Sequence, residues 1–152
     1  EDNQLSSELN NGSRIVSLPG TEKTIRGYSG ASLIIEDEAS RVEDELYMAI
    51  RPMLAVSNGR LILMSTPFGT RGHFYDAWQN GGESWDRIIV PATECPRISK
   101  EFLEEERRSM GEWWFEQEYM CQFKESVDSV FSHEVVMAAM SEDIKPLFEV
   151  AQ

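Results

Sequence analysis

An α/β fold built on a parallel sheet with flanking helices, followed by a mainly helical segment, is what this sequence predicts. Two apolar runs, "SLIIE" (32–36) and "RLILMS" (60–65), flank a stretch with helical spacing, "EDELYMAIRPMLA" (43–55). Strand, helix and strand in that order are the α/β pattern. The near-continuous apolar character of 60–65 suits a strand covered on both faces, as in a parallel sheet.

The elements follow in order. "RIVSL" (14–18) is a β-branched run closed by Pro19-Gly20, a strand-to-turn signal. "SLIIE" is a second strand. Ser40 with Glu43 three residues on matches a capping box, which predicts a helix starting directly after the acids at 36–38. Leu46, Ile50 and Met53 share a face with Tyr47 and Leu54, and Pro52 marks where the helix kinks or ends. Asn58-Gly59 turns the chain into the third strand, 60–65. "TRGHFYDAW" (70–78) reads as a loop entering a short helix, with the glycines beside Arg71 favouring a turn over a phosphate or DNA contact. "WDRIIVP" (85–91) reads as a fourth strand ended by proline. From Ser99, "SKEFLEEERRSM" and "GEWWFEQEYMCQF" read as two amphipathic helices separated by Gly111. Trp113, Trp114, Phe115 and Tyr119 are expected to pack rather than stack on bases, because no basic residues interleave with them. Beyond Phe131 the pattern is weak.

At 152 residues, with 41% hydrophobic and 10% aromatic content, the chain is long enough for one domain with a core. No stretch approaches the roughly 18 apolar residues of a membrane span, and "EDNQLSSELNNGS" lacks the basic and apolar regions of a signal peptide. A cytosolic chain without membrane contact is expected. Cys95 and Cys121 form no C-x-x-C pair and read as reduced thiols, at least one of them buried. His73 and His133 are too few for a histidine-rich metal site. A net charge of −13 repels a phosphate backbone, so this segment is not expected to be the main grip on nucleic acid. The acids at 43–45 and 104–106 read as solvated helix faces.

The acids at 36–38 are different, because an apolar strand delivers them to the carboxyl edge of the sheet, where open α/β sheets bind ligands. Neighbours at a strand end point apart, so Asp37 and Glu38 can divide labour. One can hold Mg²⁺, largely through water, and the other can orient and deprotonate a water aimed at a phosphate. The plainer alternative is a strand running into a solvated turn. "LILMSTP" (61–67) adds a second apolar strand ending in hydroxyl residues, suited to contacting a terminal phosphate or its attacking water. Alone, it is equally an ordinary Ser-Thr-Pro turn.

The run from "GSRIVSLPG" through "SLIIEDEAS" and "LILMSTPFGTRGHFYDAW" resembles the ATPase domain of phage terminase large subunits. "CPRISKEFLEEERRSMGEWWFEQEYMCQF" (95–123) is similar to the segment that follows in that family, and the resemblance covers about residues 12–131. It implies a P-loop NTPase sheet of the ASCE type and an ATP-hydrolysing motor that packages double-stranded DNA into procapsids. Within it, Asp37 would bind Mg²⁺ as part of the Walker B element and Glu38 would activate water. Ser65, Thr66 and Pro67 would match the coupling motif, with Ser65 and Thr66 near the nucleotide. Arg26, in "TIRGYSG", falls where the family carries an arginine proposed to stabilise the transferring phosphate; its alternative is an arginine in a turn. Glu36 is left without a role, as a tolerated charge. ATP as substrate, Mg²⁺, a small terminase subunit, a portal protein, a homo-oligomeric ring and the cytoplasm of a bacterial host are all implied by the resemblance.

The loop G-x-x-x-x-G-K-[ST], which cradles phosphates with backbone N–H groups and a lysine, is not matched: "LPGTEKT" (18–24) lacks the second glycine. The expectation is therefore an interior piece of such a protein. Residues 1–94 would be the C-terminal half of the ATPase domain, without Walker A. Residues 95–131 would lead out of it, and 132–152 would begin the linker to an absent nuclease domain. Such a piece would expose an apolar edge at 61–65, aggregate readily and bind ATP weakly. A superfamily 2 helicase-like translocase also pairs an Asp-Glu strand with a Ser/Thr-rich strand end, and a non-catalytic prophage remnant is the third reading.

Overall fold

Two parallel strands carry the architecture. In the structure, a computed structural model that describes residues 2–3, 6–18, 25, 28–125, 135 and 139, β4 (Leu33–Asp37) pairs with β5 (Arg60–Met64) in the register Leu33↔Arg60 to Asp37↔Met64. Ahead of them lies an antiparallel sheet of β1 (Asp2–Asn3), β2 (Ser6–Glu8) and β3 (Arg14–Val16). The strand expected at 14–18 therefore exists but pairs with β2 instead of joining the parallel sheet, with Ser6↔Val16 and Glu8↔Arg14 in register.

Between β4 and β5 the chain makes one excursion through a 3-10 turn (Ala39–Arg41), α1 (Asp44–Ile50) and a second 3-10 turn (Arg51–Leu54). The capping box is not formed. Ser40 lies inside the first 3-10 turn, Glu43 is the residue before α1, and neither side chain caps that helix. Ser40 is drawn instead to Ser65, the two hydroxyl oxygens lying 2.8 Å apart. Pro52 ends α1 as its fixed geometry requires, standing at the start of the second 3-10 turn. Return to the sheet depends on Gly59: a Cβ there would lie 2.1 Å from the Ala31 carbonyl oxygen, so only glycine allows the two backbones to pass.

Leu46, Ile50 and Met53 of this excursion pack with Ile25 to form the core, and Ile34 and Leu61 close it from the sheet. The opposite face of the sheet carries Leu33, Ile35, Ile62 and Met64, which are 42–54% exposed. The expectation that 60–65 is covered on both faces thus fails among the described residues, where helices pack on one side only.

After β5 come α2 (Gly72–Asn80), α3 (Lys100–Met110) and α4 (Glu112–Glu118), with Gly111 separating the last two at φ +82° as the sequence suggested. Residues 85–91 form no strand. The β-branched residues Ile88 and Val90 are exposed, and no described strand lies alongside to complete a ladder. Arg87 is spent on capping: its guanidinium donates to the carbonyls of Ala77, Trp78, Gly82 and Trp85 at 2.6–3.0 Å, serving the open C-terminal end of α2. Phe115 is buried and stacks on Tyr119, whereas Trp114 remains 42% exposed, so the aromatic group packs only in part. Both cysteines are free and half-buried, so neither is the fully buried thiol expected. Among the described residues no helix is long and apolar enough to cross a membrane.

Candidate functional site

The carboxyl ends of β4 and β5 lie side by side because the strands are parallel and in register. Asp37 is the last residue of β4, opposite Met64, and Ser65 and Thr66 follow directly on β5. Four of the five residues singled out by sequence, Asp37, Glu38, Ser65 and Thr66, therefore share one edge of the sheet. Arg26 lies outside the described residues, as do most of "LPGTEKT" (18–24) and everything assigned to 132–152 except positions 135 and 139.

Alternation along β4 sends Asp37 to the open face with Leu33 and Ile35, and Glu36 to the covered face with Ile34. Asp37 is exposed, and its Oδ1 accepts the Glu38 backbone N–H at 3.1 Å. Glu38 is exposed too. Its backbone sits in the left-handed region, φ 54° and ψ 36°, where it turns the chain out of the sheet into the 3-10 segment. For a residue with a Cβ that conformation costs about 1–2 kcal/mol.

Glu36, which the sequence left without a role, is the buried member of the three acids at 7% exposure. Its Oε1 lies 2.8 Å from Nε2 of His73, in the first turn of α2. On the other side of the ring, Nδ1 of His73 is 3.1 Å from Oδ1 of Asp44, and the same oxygen accepts the His73 backbone N–H at 2.7 Å. Asp44 thus supplies from α1 the capping oxygen that α2 lacks at its own start. Tyr47 stacks on the imidazole with centroids 4.5 Å apart. Burial pulls the His73 pKa down, but hydrogen bonds and charge from Glu36 and Asp44 outweigh it and leave the net shift upward. The backbone hydrogen bond from His73 is the main reason that Asp44 is held below its ordinary value. With an acceptor at each ring nitrogen, the arrangement suits an imidazolium that donates on both sides. The second oxygen of Glu36 is buried without a hydrogen-bond partner among the described residues. One signal for this residue was available: an acid two positions after Ile34 in a strand shares its buried face.

Ser65 and Thr66 are half-buried and engaged. Ser65 meets Ser40, and the Thr66 hydroxyl donates to Oε2 of Glu118 at 2.9 Å. Among the described residues no group of three or more His, Cys, Asp and Glu side chains is arranged to hold a metal ion.

Comparison with known proteins bears on the family and the fold. A family model described as "Terminase large subunit, T4likevirus-type, N-terminal" matches residues 1–135. A curated relative, "Probable terminase, large subunit" of Enterobacteria phage P7, is 30% identical over 93 residues, which are 56% of this chain and 19% of that protein. Among solved structures, the large terminase ATPase domain of Thermus phage P74-26 superposes with a TM-score of 0.57 at 22% identity, covering 64% of this chain and 46% of that one. The chain therefore spans about a fifth of the curated relative's length and under half of the structural neighbour's.

Proposed function

Because the chain belongs to the terminase large-subunit family, T4-like type, N-terminal part, we propose that it contributes the hydrolytic edge of an ATP-driven motor that packages double-stranded DNA into procapsids. The observation carrying this reading is the alignment of two parallel strand ends, which sets Asp37 and Glu38 beside Ser65 and Thr66. In this reading Asp37 holds Mg²⁺ together with the nucleotide phosphates. The ion, when bound, offsets the charge that spreads over the transferring phosphoryl group. Glu38 orients a water for in-line attack and accepts its proton; its exposure and its turn out of the sheet leave the carboxylate accessible to that water.

Ser65 and Thr66 sense the terminal phosphate, and Arg26 stabilises its developing charge in the same subunit or a neighbouring one. The sequence contains no G-x-x-x-x-G-K-[ST] run, so the phosphate-cradling loop is assigned to another part of the protein. Residues 1–94 are assigned to the ATPase domain, 95–131 to the segment leading out of it and 132–152 to the start of a linker toward a nuclease domain. The acidic charge of −13 supports placing the main DNA contacts elsewhere. A small terminase subunit, a portal protein and a ring of identical subunits in the host cytoplasm complete the proposed setting.

The deciding experiment is Glu38→Gln in the intact protein. ATP binding should survive while phosphate release falls by at least about 10²-fold, the usual contribution of a positioned base. Undiminished turnover would remove Glu38 from this role.

A further inference from the structure

The loop from Ser65 to Gly69 is held by two consecutive residues of α4. Glu118 takes the Thr66 hydroxyl at 2.9 Å, and the fully buried Gln117 receives the Gly69 backbone N–H on its Oε1 at 3.5 Å. Glu118 is shared. Its other oxygen pairs with Arg41 at 3.0 Å, and the Arg41 guanidinium lies 4.1 Å over the ring of Phe68, inside the same loop. Arg41 stands three residues after Glu38, so one carboxylate joins the acidic turn, the hydroxyl loop and the helical segment. This link spans 52 residues of sequence, from Thr66 to Glu118.

A threonine hydroxyl has one proton to donate. While it is given to Glu118, none is available for a phosphate oxygen. When the hydroxyl turns toward a terminal phosphate, Glu118 loses that bond and meets a second anion at close range, with only Arg41 left to offset it. We propose that Glu118 is the positioning residue that passes the nucleotide state from Thr66 to α3 and α4, by exchanging the Thr66 proton with the terminal phosphate. The proposal rests on the reading of Ser65-Thr66-Pro67 as the coupling motif and names the group that receives its signal. A purely structural role would be weak: Arg41 and Glu118 side chains are 44% and 28% exposed, and such pairs contribute about 0–1 kcal/mol.

The test uses the intact protein in a packaging reaction with procapsids and linear double-stranded DNA, reading phosphate release and nuclease-protected DNA together. Glu118→Ala should lower DNA packaged per ATP hydrolysed by about tenfold, with kcat and KM for ATP within about threefold of wild type. Glu118→Gln, whose amide oxygen still accepts from Thr66, should lose less. Combining Glu118→Ala with Thr66→Val should be no worse than the more impaired single variant, because both remove one bond. An unchanged ratio in Glu118→Ala, or effects that multiply, would overturn the proposal. Should Glu118→Ala not fold, Glu118→Met, which fills a similar volume but offers no oxygen acceptor to Thr66, completes the same cycle with Thr66→Val and is read by the same two criteria. Glu38→Gln measured alongside separates the two levels: undiminished hydrolysis there removes Glu38 from the hydrolytic edge on which the proposed function rests, whereas lost hydrolysis there with an unchanged Glu118 ratio refutes only this inference.

Discussion

Nε2 of His73 lies 2.8 Å from Oε1 of Glu36, and both side chains are at least nine-tenths buried. This contact ties the strand that ends in Asp37 to the helix that follows the hydroxyl loop. Removing one partner of such a pair leaves the other buried and unmatched, which typically costs 3–5 kcal/mol. His73→Ala should therefore lower stability by roughly 3 kcal/mol in denaturant titration. His73→Gln, able to serve one carboxylate, should lose less. Equal losses would mean that packing against Tyr47, and not the carboxylates, sets the value.

The same cluster predicts a pH dependence. His73 has a folded pKa above its ordinary 6.5, so its contribution is complete below that value and is lost as pH rises through the raised folded pKa. Asp44 has a folded pKa below 3.8, so its contribution is present above that value and is lost as pH falls through the lowered one. Stability should be greatest between the two, on the mildly acidic side of neutrality, and decline on the alkaline side. In His73→Gln the alkaline decline should shrink; a profile identical to wild type would dissociate it from His73.

Glu38→Gly separates chemistry from folding. Glycine relieves a left-handed strain of about 1–2 kcal/mol but makes the unfolded chain more flexible by about 0.4–1 kcal/mol, so thermal unfolding should shift slightly upward or not at all. Hydrolysis should nonetheless be lost. A clearly lowered melting temperature would show that the Glu38 side chain supports the fold.

For Asp37, the expectation is loss of metal response without loss of structure. Its side chain is exposed and its one described hydrogen bond is to the next residue's N–H, so Asp37→Asn should leave the melting temperature nearly unchanged. Half-saturation of hydrolysis by Mg²⁺ should move to higher concentration by about tenfold or more, the range seen when a ligand or its support is lost. An unshifted Mg²⁺ titration would exclude Asp37 as a ligand.

Gly59→Ala probes the fold alone. The added methyl would meet the Ala31 carbonyl at 2.1 Å and the Leu54 side chain at 2.8 Å. Backbone must shift to accommodate it, and a loss of about 1–3 kcal/mol or more is expected by denaturant titration. Near-neutral stability would mean that the 54–60 turn relaxes easily.

Sequence alone determined the elements whose signals are local. Apolar runs at 32–36 and 60–65, helical spacing at 43–55, the stop at Pro52 and the break at Gly111 all depend on neighbouring residues, and the structure has strands at Leu33–Asp37 and Arg60–Met64, a helix at Asp44–Ile50 continued by a 3-10 turn from Arg51, and a helix break at Gly111. So did the delivery of Asp37 and Glu38 to a strand end, since that follows from where an apolar run stops. Local signals failed where the outcome depended on a distant partner. Residues 85–91 have strand composition but no described strand to pair with, and Ser40 gave up its capping role for Ser65, 25 positions away. The role of Glu36 was invisible for the same reason: whether a carboxylate at a strand end is solvated or buried is decided by what packs over that face. Only the tertiary fold brings His73 there from 37 positions along the chain, and only it sets Glu118 against Thr66. A charge in sequence is a cost or an asset according to its partner, and the partner is chosen by folding.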